Sequence, residues 1–237
     1  MRNLLKKLPS ITGPARSYFN YFFGEKEISF LIKYLKKYKK NFIFVDVGAN
    51  YGIYTFIFGL KSEFTYVVEP IIECINYIEK GYLSRNIVLI NKVASNDEGD
   101  KDLFIPFENN KLLFGRSSIN NNFEKTKKIN VKSFKLNKLI NDIEKLNSEL
   151  LFAKIDVEGH ENFVLEGSLE LFKSKKTLLL VEIEKRHNKK YKETYEMLNN
   201  NRFKAYYLER KKLKTITDIS EFEDAMKNNI NFLFKNY

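Results

Sequence analysis

The sequence predicts an α/β fold built on a mostly parallel seven-stranded sheet with helices on both faces. Three observations carry that expectation. From residue 42 onward, short β-branched or aromatic runs alternate with helical stretches, which implies crossover connections. A glycine-bearing loop, FVDVGANYG at 44–52, stands between the first strand and the following helix. An acid, Glu69 in VVEP, closes the second strand one βαβ step later.

The elements begin with Ile28, Leu31, Ile32 and Leu35, whose spacing predicts a helix ahead of the first strand. Lys33, Lys36, Lys37, Lys39 and Lys40 take its other positions or its C-terminal end, where cations meet the helix dipole. FIFVDV, FTYVVE, NIVLIN, LLFAKIDV and TLLLVEIE read as five strands, separated by segments around 53–61, 71–83, 135–147 and 160–174. RFKAYYLE and NINFLFK read as two more, with a helix near EFEDAMKN between them. The stretch 92–134 breaks the alternation. Turn formers from Asn96 to Asp100, strand-like DLFIPF, an Asn-rich loop and strand-like KKINVKSF predict a β-hairpin or loop insertion over one sheet edge. No repeat, linker or low-complexity tract marks a boundary. Residues 1–40 are therefore expected to form an N-terminal helical segment packing on one domain, 41–237.

Composition narrows the classes. A chain of 237 residues with 43% hydrophobic content can bury one continuous core. Its longest apolar stretches, such as Phe42 to Val45, fall far short of the roughly 20 residues that span a bilayer, so no transmembrane segment is expected. Arg2, Lys6 and Lys7 precede no apolar core or small-residue cleavage site, and the expected localisation is cytoplasmic. The single cysteine, Cys74, excludes a disulfide within the chain and a zinc site on paired cysteines, and no metal is expected. Lys and Arg number 41 against 30 Asp and Glu, a formal charge of +11. An anionic partner is one reading of that excess; a solvated lysine surface, in a sequence also rich in Asn, Ile, Phe and Tyr, is the simpler one.

In an open parallel sheet, ligands bind beyond the carboxyl ends of the strands, where strand order reverses. The 44–52 loop stands there. Gly48 permits a sharp turn and Gly52 lets the next helix approach closely. Asp46 can orient loop amides or meet a cationic ligand group, and Asn50 can donate or accept. Glu69 is positioned to accept both hydroxyls of a ribose. A dinucleotide site would need G-x-G-x-x-G for close approach to a pyrophosphate, whereas this loop offers Gly48 and Gly52 with a carboxylate nearby. A ligand bearing a ribose and a cation fits better, and S-adenosylmethionine has both.

At this point a resemblance becomes specific. FVDVGANYGIYT resembles the first motif of FkbM-type methyltransferases, VVEP their second, and NKVASNDEG the segment after their third strand. KIDVEGHENFVLEGS resembles their most distinctive stretch, on and after the fourth strand, and LLLVEIE and NINFLFK match their fifth strand and ending. The likeness spans roughly 26–237. It implies a Rossmann-like class I methyltransferase that uses S-adenosyl-L-methionine, with Asp46, Gly48, Asn50, Gly52, Glu69, Ala94, Ser95 and Asp156 as cofactor-binding residues. One departure stands out: the family usually carries an aspartate pair ahead of the helix preceding the fourth strand, and this chain reads KLNKLI, with Asn137 in that place.

Methyl transfer from a sulfonium is an in-line displacement, in which positioning supplies about 7–11 kcal/mol and a placed general base roughly 10²–10⁴-fold. Asp156 is expected to border the methionine end of the cofactor, with Glu158 or His160 taking the acceptor proton. Glu158 can equally cap the helix begun near Gly159, and a lone histidine at a helix start is commonly solvated. Glu182 and Glu184 share one face by period-two spacing, with His187 after them; they line an acceptor pocket or pair with lysines. Ser117 and Ser118, in GRSSI, fall in the inserted loop, read as a lid or acceptor wall that binds substrate.

The expected acceptor is a hydroxyl of a glycan or small molecule, in a setting such as surface-polysaccharide biosynthesis, with the oligomeric state left open. Methylation of exocyclic base amines needs an Asp/Asn-Pro-Pro-aromatic motif, and the prolines stand only at 9, 14, 70 and 106. Cys74 lies on the second helix, away from the catalytic edge, so base-carbon methylation is disfavoured as well. Nucleic acid is thus an unfavoured partner, with RNA ribose methylation as the remaining alternative. A non-catalytic cofactor-binding module is the other, against which stands the joint presence of Asp46, Gly48, Glu69, Asp156 and Glu158.

Overall fold

A computed structural model describes residues 25–82, 86–109, 111–120 and 124–237. The expected N-terminal segment therefore lies mostly outside the described residues, apart from its helix α1 (Lys26–Leu35). Then come β1 (Phe42–Val47), α2 (Ile53–Phe58), β2 (Phe64–Val68), α3 (Ile72–Gly81), β3 (Ile87–Ile90), β4 (Val93–Ala94), β5 (Gly99–Glu108), β6 (Lys111–Leu112) and β7 (Thr126–Phe134). The second half holds α4 (Ile140–Lys145), β8 (Leu150–Ile155), α5 (Glu161–Glu166), α6 (Leu169–Ser174) and β9 (Thr177–Glu182). It ends with α7 (Tyr191–Asn200), β10 (Lys204–Glu209), β11 (Lys212–Ile216), α8 (Ile219–Ala225) and β12 (Asn231–Lys235).

The main sheet has eight strands in the order β11-β10-β12-β9-β8-β1-β2-β3. Strands β1, β2, β3, β8 and β9 run parallel, while β12 is antiparallel to both β9 and β10, and β11 is antiparallel to β10. The expectation of a mostly parallel seven-stranded sheet is corrected here to a mixed eight-stranded one. The added strand, KLKTI, puts lysines on an edge, where charge blunts pairing with other chains and makes the segment read as loop. The 92–134 stretch forms a second sheet, order β4-β7-β5-β6, whose centre is the antiparallel β5–β7 pair from Gly99↔Ser133 to Pro106↔Thr126.

Strands β1 and β8 are buried along their whole length, which is why FIFVDV and LLFAKI run nearly without polar alternation: both faces are covered. On one face Phe44 and Phe152 stack with ring centroids 5.0 Å apart, beneath Ile28, Leu31 and Leu35 of α1 and Tyr54 and Phe58 of α2. On the other, Val45, Ala153 and Val181 meet Ile143 of α4, Leu165 of α5, Phe172 of α6 and Leu198 of α7. Burying each such large side chain stabilises by about 1.5–3 kcal/mol.

Asn137 has a structural task in this layer. Its Oδ1 accepts from the Leu171 amide at 3.0 Å in the open first turn of α6, and its own amide donates to the Gly167 carbonyl at 3.0 Å. An acceptor oxygen suffices there, and asparagine supplies one as an aspartate would.

Candidate active site

The chain leaves β1 for β2 and β3 on one side and returns to β8 on the other, so strand order reverses between β1 and β8. The register pairs Val47 with both Val68 and Ile155, and Ile155 with Val181. Gly48, Glu69, Asp156 and Glu182 therefore follow one step beyond the paired ends of four adjacent parallel strands. Sequence position alone brings these four to one edge.

The loop after β1 is tied down by its neighbours. The Gly48 amide donates to the Val68 carbonyl at 2.9 Å, with Gly48 at φ +75°, and a Cβ there would lie 1.9 Å from the Asp156 carbonyl oxygen. Glu69 is 4% exposed, and both its oxygens are engaged: Oε2 accepts from the Asn50 amide at 2.8 Å and Oε1 from the Ile71 amide at 2.9 Å. Burial pushes its carboxyl up to about 7, against those two amides, which favour the charged form. Asp46 is buried beneath the loop and accepts from Thr55 Oγ1 at 2.6 Å, fastening the first turn of α2 to β1. Burial raises it to about 6, with Thr55 and Lys154 opposing.

A cavity partly open to solvent runs along this edge. Among the sequence-predicted residues, Gly48, Asn50, Glu69, Ala94, Ser117, Asp156, Glu158 and His160 line it. Asp46, Gly52, Ser95, Ser118, Glu182 and Glu184 are not part of its wall. Ser118 is buried, its Oγ donating to the Glu158 carbonyl at 2.8 Å, so it pins the inserted loop to the turn after β8. Gly52, at φ +74°, packs against Ile78, where a Cβ would meet Cγ1 at 2.7 Å. Sequence reasoning missed the apolar wall of Val68, Pro70, Val93, Leu103, Phe114 and Ile119. Leu103 alternates in β5, which reads only as hairpin core until the insertion is seen to close on the main sheet.

The turn after β8 is strained, with Glu158 at φ +50° and Gly159 at φ +94°. Glu158 has a side chain 20% exposed, and its Oε2 lies 3.8 Å from His187 Nε2. Burial first, then repulsion from Asp156, Glu184 and Glu161, raise its carboxyl to about 7. Glu184 pairs with Arg186 and lies 3.9 Å from His187 Nε2. Glu182 is pushed up by burial and by the Asp156 charge. His160 is 5% exposed, with Nε2 3.1 Å from Ser95 Oγ and Nδ1 buried without a partner; burial lowers it to about 4. Among the described residues no group of three or more His, Cys, Asp or Glu side chains could hold a metal ion, and no helix is long and apolar enough to cross a membrane.

A doubly wound sheet with a glycine loop, a strand-end acid and a cavity at the reversal point is the arrangement at which open α/β sheets bind ligands. The chain belongs, more narrowly, to the FkbM methyltransferase family: the model of the methyltransferase FkbM domain matches residues 46–211. Among solved structures, it is similar to an FkbM methyltransferase from Methylobacillus flagellatus KT, at 15% identity and a TM-score of 0.45, covering 81% of this chain and 42% of that one. It is also similar to an SAM-dependent O-methyltransferase from Thermotoga maritima, at 11% identity and TM-score 0.44, covering 89% and 64%. The chain thus spans less than two thirds of either structure. No curated protein matches it.

Proposed function

We propose that this chain moves a methyl group from S-adenosyl-L-methionine to a hydroxyl of a glycan or small-molecule acceptor. The observation that carries the reading is the shared wall: Glu69, Gly48, Asp156 and Glu158, from three strand ends, border one cavity. Its donor set suits the cofactor. Glu69 keeps lone pairs beyond the two amides it accepts from, enough for ribose hydroxyls. Asp156, with a side chain 32% exposed, offers a carboxylate to an ammonium. Val68, Pro70, Leu103 and Ile119 supply an apolar flank for a base ring.

When bound, the cofactor supplies an electrophilic methyl carbon on a sulfonium. Glu158 takes the proton of the acceptor hydroxyl, because a carboxyl raised to about 7 is basic enough at neutral pH and still substantially ionised. His160 is the weaker choice of the two, since burial lowers it to about 4 and Ser95 occupies its Nε2. Phe114, Ser117 and Ile119 of the inserted stretch form one wall of the cavity, against which an acceptor would rest. Glu182 and Glu184 act through their neighbours, adding negative charge beside Asp156 and Glu158. A phosphodiester acceptor is disfavoured by the carboxylates of Asp156 and Glu158 in the wall, which Lys92 only partly balances.

The test is transfer of a labelled methyl group from S-adenosylmethionine to a panel of neutral glycans, small hydroxyl compounds and RNA. Label in a hydroxyl acceptor of the first two kinds supports the reading. Label in RNA alone, or cofactor binding with no transfer to any acceptor, contradicts it.

A further inference from the structure

Lys154 is a fully buried lysine, 3% exposed, that the site as described does not use. An isolated buried ammonium costs several kcal/mol, so its surroundings need an explanation. Period-two spacing places it on the same face of β8 as Asp156. Asp46 is its register partner on β1, and Glu182 ends β9 on that same face. From the covering layer come Glu25 and Glu27 at the start of α1 and Tyr54 of α2, whose hydroxyl donates to Glu25. Lys154 Nζ lies 2.7 Å from Asp156 Oδ2 and 5.1 Å from the centre of the Tyr54 ring. Burial opposes its charge, and the carboxylates of Asp156 and Glu182 more than offset it, so the ammonium is retained.

The pair is asymmetric. Lys154 is sealed in the core, whereas the Asp156 side chain is 32% exposed and lines the cavity. The ammonium holds Oδ2, and no hydrogen bond from the described residues reaches Oδ1. The pair anchors a carboxylate from behind and leaves its other oxygen to the cavity.

We infer that Lys154 is a positioning residue that fixes the Asp156 carboxylate to receive the amino-acid portion of the cofactor, an inference that rests on the cofactor reading above. It acts through Asp156 and touches no ligand itself. The nucleoside portion is assigned above to Glu69, at the end of β2 across β1 from β8, so the two portions are separable by ligand choice.

The experiment is calorimetric titration of wild type, Lys154→Met and Lys154→Arg with S-adenosylhomocysteine and with methylthioadenosine, which lacks the amino-acid portion. Lys154→Met is expected to weaken S-adenosylhomocysteine binding at least tenfold while changing methylthioadenosine binding less than twofold. Lys154→Arg restores part of the difference, because a cation remains behind Asp156. Should Lys154→Met fail to fold, Lys154→Arg alone decides, with a smaller loss confined to S-adenosylhomocysteine. Equal losses for both ligands mean a merely structural lysine, and no loss for either means an idle one; both overturn the inference. Wild type that binds neither ligand overturns the cofactor reading itself and the inference with it.

Discussion

Gly48 faces the backbone carbonyl of Asp156 so closely that a methyl group on its Cα would lie 1.9 Å from that oxygen. The turn after β1 and the turn after β8 are thus in direct contact, and the glycine loop is shaped by the neighbouring strand end as well as by any ligand. Its φ of +75° adds about 1–2 kcal/mol for any residue with a Cβ.

Gly48→Ala is accordingly expected to lower the melting temperature by several degrees and to remove S-adenosylhomocysteine binding, read by thermal melts and calorimetry. An unchanged melting temperature with unchanged affinity would show that the two turns can part without cost.

Glu69→Ala strips the acceptor from the Asn50 and Ile71 amides and from any ribose hydroxyl. Affinity for S-adenosylhomocysteine is expected to fall roughly 10- to 100-fold, as the loss of one or two charge-assisted bonds implies. Calorimetry checks it, and affinity within twofold of wild type would remove Glu69 from the ribose site.

Glu158→Gln is expected to reduce turnover by about 10²–10⁴-fold while leaving cofactor affinity intact. In the wild type, a base with its carboxyl near 7 must be deprotonated to act. The kcat/KM profile should therefore climb below about pH 7 and level off above it. Unaltered turnover in the variant would return Glu158 to a role in shaping the turn.

His160 tests the electrostatics of the cavity wall. Its folded value lies near 4 against 6.5 when unfolded, so the unfolded chain binds the extra proton between those limits. The stability it contributes is present above pH 6.5 and lost as pH falls through 4, about 3 kcal/mol in all. Denaturant melts of wild type and His160→Gln should show their stability difference shrinking by that order between pH 7 and 4. A difference independent of pH would mean that the imidazole titrates freely.

Much of this architecture was legible because parallel strands buried on both faces are continuous apolar runs, as FIFVDV and LLFAKI are. Strand β11 was not, since its lysines mimic a loop, and neither was α7, whose YKETYEMLNN is dominated by polar residues. The strand-end acids and glycines were visible from position alone. What they touch was not: the sequence could not show that Asp46 serves Thr55, that Ser118 ties to Glu158, or that Lys154 in an apolar run faces Asp156. The Ser118 contact joins segments forty residues apart, on which periodicity is silent. For Lys154 and Asp156 period-two spacing gives the shared face, but not that one partner is sealed and the other open to the cavity.

The central claim is that one cavity between the ends of β2, β1 and β8 holds the adenosyl cofactor. A crystal structure of the protein with S-adenosylhomocysteine tests it most directly. The ribose hydroxyls are expected on Glu69 and the amino-acid portion against Asp156. Density for the ligand elsewhere, or a cavity that stays closed to it at saturating concentration, would contradict it.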